Sequence, residues 1–126
     1  MCLIRSLTAN SGGGGGIDEP SYGYYLYGNY YNTTFTISNI PSDAKFFLVV
    51  MTRLDAGGNS NRLWGDIVNQ QAKSFDSGST SEEITFADVT WSDYVSSVGS
   101  GSITFTKALA DEIGGTRQAI DVYFWS

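Results

Sequence analysis

Apolar and polar residues alternate with a period of two over much of the chain, which is typical of half-buried β-strands. Residues 33–38, TTFTIS, show the alternation clearly. Residues 119–125 alternate again and place Ile120, Val122 and Phe124 on one face, with Asp121, Tyr123 and Trp125 on the other. We expect both segments to be strands with one face in the core.

A different pattern, an unbroken apolar run, covers residues 45–51, KFFLVVM. Such a run indicates burial on both faces and therefore a central strand covered by a second layer. Residues 39–43, NIPSD, precede it and have turn chemistry. Shorter apolar segments predict further strands at residues 62–69, 83–87 and 102–107.

Two segments have helical rather than strand spacing. Trp91, Tyr94, Val95 and Val98 lie at i, i+3, i+4 and i+7, and Gly99 follows as a helix stop. Residues 108–113, ALADEI, predict a second short helix. The whole pattern predicts an all-β fold, a two-layer antiparallel β-sandwich that is jelly-roll-like or immunoglobulin-like, with one or two short helical connections.

Five consecutive glycines, residues 12–16, separate a short leader from the rest of the chain. Glycine runs resist regular structure and behave as flexible tethers. We therefore divide the chain into an arm and tether, residues 1–16, and a single β-sandwich domain, residues 17–126. The leader is either a disordered terminus or an arm whose Leu3, Ile4 and Leu7 dock onto a neighbouring subunit.

Six tyrosines fall within the ten residues 22–31. Gly28-Asn29 has the chemistry of a two-residue hairpin turn. A hairpin closed there buries Tyr22, Tyr24 and Tyr31, and it leaves three tyrosines exposed together: Tyr25, Tyr27 and Tyr30. This patch is open to three interpretations: a protein contact, a sugar-stacking site, or cross-strand pairs that merely stabilise the hairpin.

The formal net charge of −6, without any cluster of lysine or arginine, argues against nucleic acid and anionic membranes as partners. No window approaches the roughly 18 apolar residues of a transmembrane helix. The N-terminal MCLIRSL is too short for a signal peptide. Synthesis in the cytoplasm is expected, which also suits the lone Cys2.

Catalytic chemistry is scarce. The chain has no histidine and one cysteine, which removes the commonest general base and the usual histidine or thiolate metal sites. Glu82 and Glu83 do not make a convincing glycosidase pair, because adjacent strand residues point to opposite faces. Asp88 and Asp93 do not make one either, because Asp93 is more simply the third residue of a capping box that begins at Thr90. We expect a protein that is not an enzyme and that carries no metal or cofactor.

Residues 35–50, FTISNIPSDAKFFLVV, resemble the strand–IPxxA–strand motif of small β-sandwich modules in phage fibres and adhesins. The resemblance implies an architecture and transfers no catalytic residue. Together with the arm, it suggests a phage-type virion component, such as a capsid-decoration, fibre or tail-associated subunit. Its partners would be copies of itself, for example in a trimer, and other virion proteins. The expected interface residues are Leu3, Ile4, Leu7, Tyr25, Tyr27, Tyr30, Tyr123 and Trp125.

The alternative hypothesis is a carbohydrate-binding or host-recognition module. The exposed tyrosines, with Trp64, Tyr123 or Trp125, would stack on the rings of a cell-surface glycan. The face that carries Asp121, Tyr123 and Trp125 fits such a site, and it equally fits packing against the second layer or a partner.

Overall fold

A computed structural model describes residues 19–55, 60–76 and 86–126 of the protein. Within them the elements follow in the order β1 (Tyr22–Gly28), β2 (Phe35–Ser38), β3 (Phe46–Arg53), β4 (Ser60–Asp66), β5 (Gln71–Asp76), β6 (Ala87–Val89), α1 (Trp91–Tyr94), β7 (Val95–Gly99), β8 (Ser102–Phe105), α2 (Ala108–Ile113) and β9 (Gln118–Trp125). Two antiparallel sheets confirm the predicted all-β, two-layer fold with short helical connections. The predicted arm, with Leu3, Ile4 and Leu7, lies outside the described residues.

The larger sheet has six strands in the order β1-β9-β3-β4-β5-β6, and the smaller has three in the order β2-β8-β7. β3 lies near the middle of the larger sheet, between β9 and β4, as its unbroken apolar run predicts. On its inner face Phe47, Val49 and Met51 are fully buried. Its outer-face residues Phe46, Leu48 and Val50 are only half-buried, so the predicted burial on both faces is wrong for the outer face.

The core lies between the sheets and is rich in aromatic rings. Phe105 of β8 stacks on Phe35 of β2 with ring centroids 5.0 Å apart. The same ring meets Phe47 of β3 edge-on at 5.1 Å. Each such side chain stabilises the fold by roughly 1.5–3 kcal/mol through burial. The contact between Phe105 and Phe47 joins the two layers.

Gly65 of β4 lies directly opposite Phe47 of β3. The Phe47 ring covers the glycine so closely that a Cβ at Gly65 would lie 2.8 Å from Cε1 and closer still to Cζ. The ring therefore occupies the space in which a side chain at position 65 would have to fit. This glycine is required by close packing.

Helix α2 forms where ALADEI predicts it and buries Leu109, Ala110 and Ile113 against the larger sheet. It ends at Gly114, whose φ of 73° is in the left-handed region that favours glycine. The Gly114 amide donates to the Ala110 carbonyl at 2.8 Å.

A polar cluster ties α2 to α1 and β4. The Tyr94 hydroxyl donates to Glu112 Oε2 at 2.5 Å, and the fully buried Asn61 donates through Nδ2 to Glu112 Oε1 at 3.4 Å. Burial of the phenol, and its bond to the Glu112 carboxylate, raise the pKa of Tyr94 to about 12. The neutral phenol is thus the form that the fold stabilises.

Gln118, at the start of β9, is a second buried polar group with its hydrogen bonds satisfied. Its Oε1 accepts from the Tyr30 amide at 2.6 Å. Its Nε2 donates to the carbonyls of Gly114 and Gly115 at 2.8 and 3.1 Å. One side chain therefore holds the end of α2 and the connection between β1 and β2.

The tyrosine hairpin predicted at Gly28-Asn29 is wrong. β1 pairs with β9 in the larger sheet, whereas β2 pairs with β8 in the smaller one. The chain instead turns near Asn32, which has a φ of 57°, and passes from one layer to the other. Pairing with strands far along the sequence replaces the local pairing that the turn chemistry suggested.

The helix predicted from the stripe ending at Val98 is also largely wrong. Only Trp91–Tyr94 is helical, and Val95–Gly99 is the strand β7 paired with β8. The β-branched Val95 and Val98 suit a pleated strand better than a helix. Tyr94 still faces the core, so the first half of the stripe packs as expected.

The strands predicted at residues 62–69 and 102–107 are confirmed with shifted ends. The strand predicted at residues 62–69 ends at Asp66, and Val68 is exposed in the turn that follows. The one predicted at 83–87 has most of its length outside the described residues, and the nearby strand is Ala87–Val89. The strand predicted at 102–107 is shorter, Ser102–Phe105.

Candidate functional site

Every second residue of the larger sheet points away from the smaller sheet. The strand registers bring these residues side by side; one row across the sheet runs Gly23, Tyr123, Leu48, Trp64, Lys73, Asp88. Most residues along this side are apolar or aromatic. We call the following set the outer aromatic face: Tyr25, Tyr27, Phe46, Leu48, Val50, Trp64, Phe75, Tyr123 and Trp125.

The β1 end of the outer aromatic face is its most exposed part. Tyr25 and Tyr27 are 57% and 53% exposed. Arg117 Nη1 donates to the Tyr27 hydroxyl at 2.9 Å, and its guanidinium lies 6.0 Å from the centre of the Tyr27 ring. Tyr25 lies beside Asp121 of β9. This end combines aromatic surface with polar groups that a partner could bind.

The middle of the face is a cluster of rings. Trp125 meets Trp64 edge-on, with centroids 5.5 Å apart, and Tyr123 at 6.5 Å. Trp125 is only 8% exposed, so it supports its neighbours and does not offer a free ring. Tyr123, 36% exposed, lies against Gly23, where a Cβ would be 3.6 Å from Tyr123 Cδ1.

At the opposite end of the face an open cavity of about 600 Å³ lies over β4, β5 and the turn between them. Phe46 and Trp64 supply its aromatic lining, and its polar lining includes Asp66, Gln70, Gln71, Lys73 and Asp88. Its volume is within the range of small-molecule sites. The turn contributes Gln70, which has a φ of 54°.

The charged groups around this cavity have partners. Lys73 Nζ contacts Asp88 Oδ1 at 2.5 Å, and both side chains are exposed. Asp66 accepts from the Asn69 amide at 3.0 Å and from Asn69 Nδ2 at 2.8 Å. Both carboxylates therefore already bond to groups of the protein. Gln70 and Gln71 supply neutral hydrogen-bonding groups to the cavity.

The five predicted interface residues that the structure describes divide into three groups. Tyr25, Tyr27 and Tyr123 are exposed on one face, and Trp125 is buried beside Tyr123. Tyr30 does not join them: it is half-buried and meets Phe35 edge-on at 5.9 Å. Its predicted exposure is wrong because the chain turns inward there to reach the smaller sheet.

Burial of the other tyrosines also differs from the hairpin prediction. Tyr31 is 51% exposed in the connection, and Tyr24 is 42% exposed although it points to the inner side. β1 is an edge strand, so the smaller sheet does not fully cover it. Tyr22 is half-buried and donates from its hydroxyl to the Ser38 carbonyl at 3.2 Å.

Sequence reasoning named Trp64 of β4 as a candidate residue, but it missed the contribution of β3 and β5 to this face. The run at residues 46–50 signalled that both faces of β3 are apolar, but not that Leu48 on the outer face lies beside Trp64 of β4. Phe75 of β5 lies one strand further along the same side. Arg62 Cζ lies 5.7 Å from the centre of the Phe75 ring and places a cation beside the apolar surface.

In residues 19–55, 60–76 and 86–126 no group of three or more histidine, cysteine, aspartate or glutamate side chains could hold a metal ion. In the same part of the chain no helix is long and apolar enough to cross a membrane. Bonds from the Thr116 amide and the Arg53 guanidinium hold the pKa of the Asp55 carboxyl well below its usual range.

Neither family models nor curated proteins nor solved structures provide a match to this chain. The outer aromatic face and the cavity at its end are therefore the features that bear on function.

Proposed function

We propose that the protein is a non-enzymatic structural subunit of a phage-type virion: a capsid-decoration, fibre or tail-associated protein. It is made in the host cytoplasm and built into the particle, where it docks on other virion proteins and on copies of itself. The observation that supports the proposal is the outer aromatic face, which lies on the side of the larger sheet that faces away from the core. Contiguous apolar surfaces on soluble proteins mark interaction sites.

The chemistry of the face suits a protein partner. Interfaces have an uncharged, aromatic-rich centre within a polar rim. Here Leu48 lies between Tyr123 and Trp64 at the centre. Asp121 and Arg62 flank the next row, on either side of Val50. Exposed tyrosine offers contact area and a hydroxyl while losing little side-chain entropy.

The outer aromatic face alone is smaller than a standard protein interface. The face extends over five strands, β1 to β5 in sheet order, or about 20 Å at ~4.8 Å per strand. A similar length along the strands makes roughly 400 Å², about half of what a standard interface buries on each partner. An arm carrying Leu3, Ile4 and Leu7 would supply further apolar contact.

Immunogold electron microscopy tests the proposal on particles purified from the culture in which the protein is produced. We expect the label on the particles. We further expect that Tyr123→Lys, and deletion of residues 1–16, each reduce the protein recovered with particles at least about tenfold, equal to about 1.4 kcal/mol of docking free energy.

The matched control is Val98→Lys, which places the same charge on an exposed apolar residue of the smaller sheet. It should leave incorporation unchanged. Label that stays entirely in the particle-free fraction would contradict the virion role. Equal losses for Tyr123→Lys and Val98→Lys would contradict docking through the outer aromatic face.

A second candidate function, glycan recognition, is favoured by the open cavity beside Trp64. An aromatic ring flanked by the amides of Gln70 and Gln71 combines a stacking surface with donors and acceptors for sugar hydroxyls. Binding to a glycan array, lowered about tenfold by Trp64→Ala and unchanged by Val98→Ala, is the expected result for this function. A folded protein that binds no glycan on the array counts against it.

A further inference from the structure

β1 is an edge strand with unusual properties. One side pairs with β9 over all seven residues without a register shift, and in the described part of the chain no strand pairs with its other side. Exposed edges are normally protected by charged residues, proline, bulges or short length. The β1 sequence, YGYYLYG, contains no charged residue and no proline. It is therefore an open template for another strand.

We propose that β1 pairs with β1 of a second copy of this chain, antiparallel and around a two-fold axis at Tyr25. The pairing would join two six-stranded sheets into one continuous sheet. It uses the edge of β1 and does not depend on the virion role, so either proposal can fail without the other.

The register follows from the geometry of antiparallel strands. Residues directly opposite one another must point to the same face of the sheet. Among the two-fold registers that satisfy this condition, the one with Tyr25 opposite Tyr25 pairs all seven residues of β1. Shifting the axis to Tyr24 or Leu26 leaves two residues of each strand without an opposite residue in the other β1.

The side chains that meet in this register are complementary. Both glycines of the strand lie opposite tyrosines of the second copy: Gly23 faces Tyr27 and Gly28 faces Tyr22. Tyr24 faces Leu26, which places an aromatic ring against an aliphatic side chain. Favourable cross-strand pairs of this type contribute to sheet formation, and a glycine opposite a large ring leaves room for it.

Charge also permits the contact. The net charge of −6 opposes self-association in general, but β1 contains no charged residue. The neighbouring charges on the outer side have opposite signs, Asp121 beside Tyr25 and Arg117 bonded to Tyr27. The edge itself is neutral, and local repulsion is small.

In the proposed dimer the residue at position 25 lies opposite the same residue of the second copy, so a charge placed there meets an identical charge. We expect the full-length protein to be a dimer in sedimentation equilibrium. Tyr25→Lys and Tyr25→Glu should each raise the dissociation constant at least about tenfold, because like charges would lie directly opposite one another. An equimolar mixture of the two variants should recover the dimer, because lysine then faces glutamate.

Tyr31→Lys is the matched control, because it changes a tyrosine of similar exposure that lies outside β1. It should remain dimeric, and circular dichroism checks that all variants fold. A monomeric wild type would overturn the proposal, as would unchanged dimerisation of both Tyr25 variants. Loss of the dimer on deleting residues 1–16, with both Tyr25 variants still dimeric, would assign the contact to the arm instead.

Disulfide trapping tests the register independently. In a Cys2→Ser background, Tyr25→Cys should cross-link the dimer under mild oxidation, because opposed Cα atoms lie about 4.5–5.5 Å apart, within disulfide range. Tyr27→Cys, which faces Gly23, should not. Efficient cross-linking through position 27 and none through position 25 would overturn the two-fold axis at Tyr25.

Discussion

Replacing Gly65 with alanine is expected to lower the free energy of unfolding by about 3 kcal/mol, the upper end of the usual range for overpacked cores. A Cβ at this position overlaps the Phe47 ring. The ring cannot move away freely, because it also packs edge-on against Phe105 and lies near Phe124. One added methyl group therefore disturbs the contact that joins the two layers.

Urea unfolding monitored by circular dichroism measures this effect, and Gly23→Ala is the matched control. Gly23 lies in the same sheet, but a Cβ there meets Tyr123 Cδ1 at an ordinary 3.6 Å. At a protein concentration low enough to keep the chain monomeric, we expect Gly23→Ala to be neutral or stabilising by up to about 1 kcal/mol. Adding Phe47→Leu to Gly65→Ala should cost less than the sum of the two single changes, since the smaller side chain relieves the overlap.

Tyr94→Phe is expected to lower the free energy of unfolding by about 1.5–3 kcal/mol at neutral pH, because the lost hydrogen bond has a carboxylate acceptor. The variant removes the bond from the phenol to Glu112 Oε2, whereas the bond from Asn61 to Glu112 Oε1 remains. The ring itself stays in place, so loss of the hydroxyl is separated from loss of packing. The exposed Tyr31→Phe is the control and should change stability little.

The stability difference between wild type and Tyr94→Phe should depend on pH. The pKa of Tyr94 is raised in the fold, from an ordinary value of 10.0 to about 12. Its contribution to stability is therefore complete below pH 10 and is lost as the pH rises from 10 through 12, a change of about 2–3 kcal/mol. The stability difference between wild type and Tyr94→Phe should shrink across this interval. A constant difference between pH 8 and pH 12 would show that Tyr94 is not linked to ionisation.

Local patterns in the sequence predicted the parts of the fold that depend on local chemistry. The alternation at residues 119–125 assigns the faces of β9 correctly, with Ile120, Val122 and Phe124 fully buried. The unbroken run of β3 identified a central strand, and ALADEI identified α2. In each case the spacing of apolar residues within the segment determines which of its side chains are buried.

Strand pairing was not predictable in the same way. Gly28-Asn29 has hairpin chemistry, yet Tyr22 pairs with Phe124 and Phe35 with Phe105, partners that lie far along the chain. Turn propensity is worth little compared with the burial that these distant pairings achieve. Val95 and Val98 show the same competition, since pairing with β8 outweighs their helical spacing.

The candidate site was predictable in part, for the same reason. Tyr25, Tyr27 and Tyr123 could be assigned to outward-facing positions because alternation along one strand determines them. Their meeting with Trp64 and Phe75 on one surface depends on the order of strands in the sheet. That order is a property of the whole chain, so the outer aromatic face emerges only when the sheet is assembled.

The position of β9 has a consequence for biosynthesis. This strand follows all the other described elements in sequence, yet it lies between β1 and β3 in the larger sheet. Until β9 has been translated, β1 lacks the strand that pairs with it among the described residues, and one edge of β3 is open. Sheets with such distant pairings form slowly and leave apolar edges exposed. A chain that stops before Gln118 should therefore accumulate as aggregate or be degraded, because the strand that β1 and β3 share is missing.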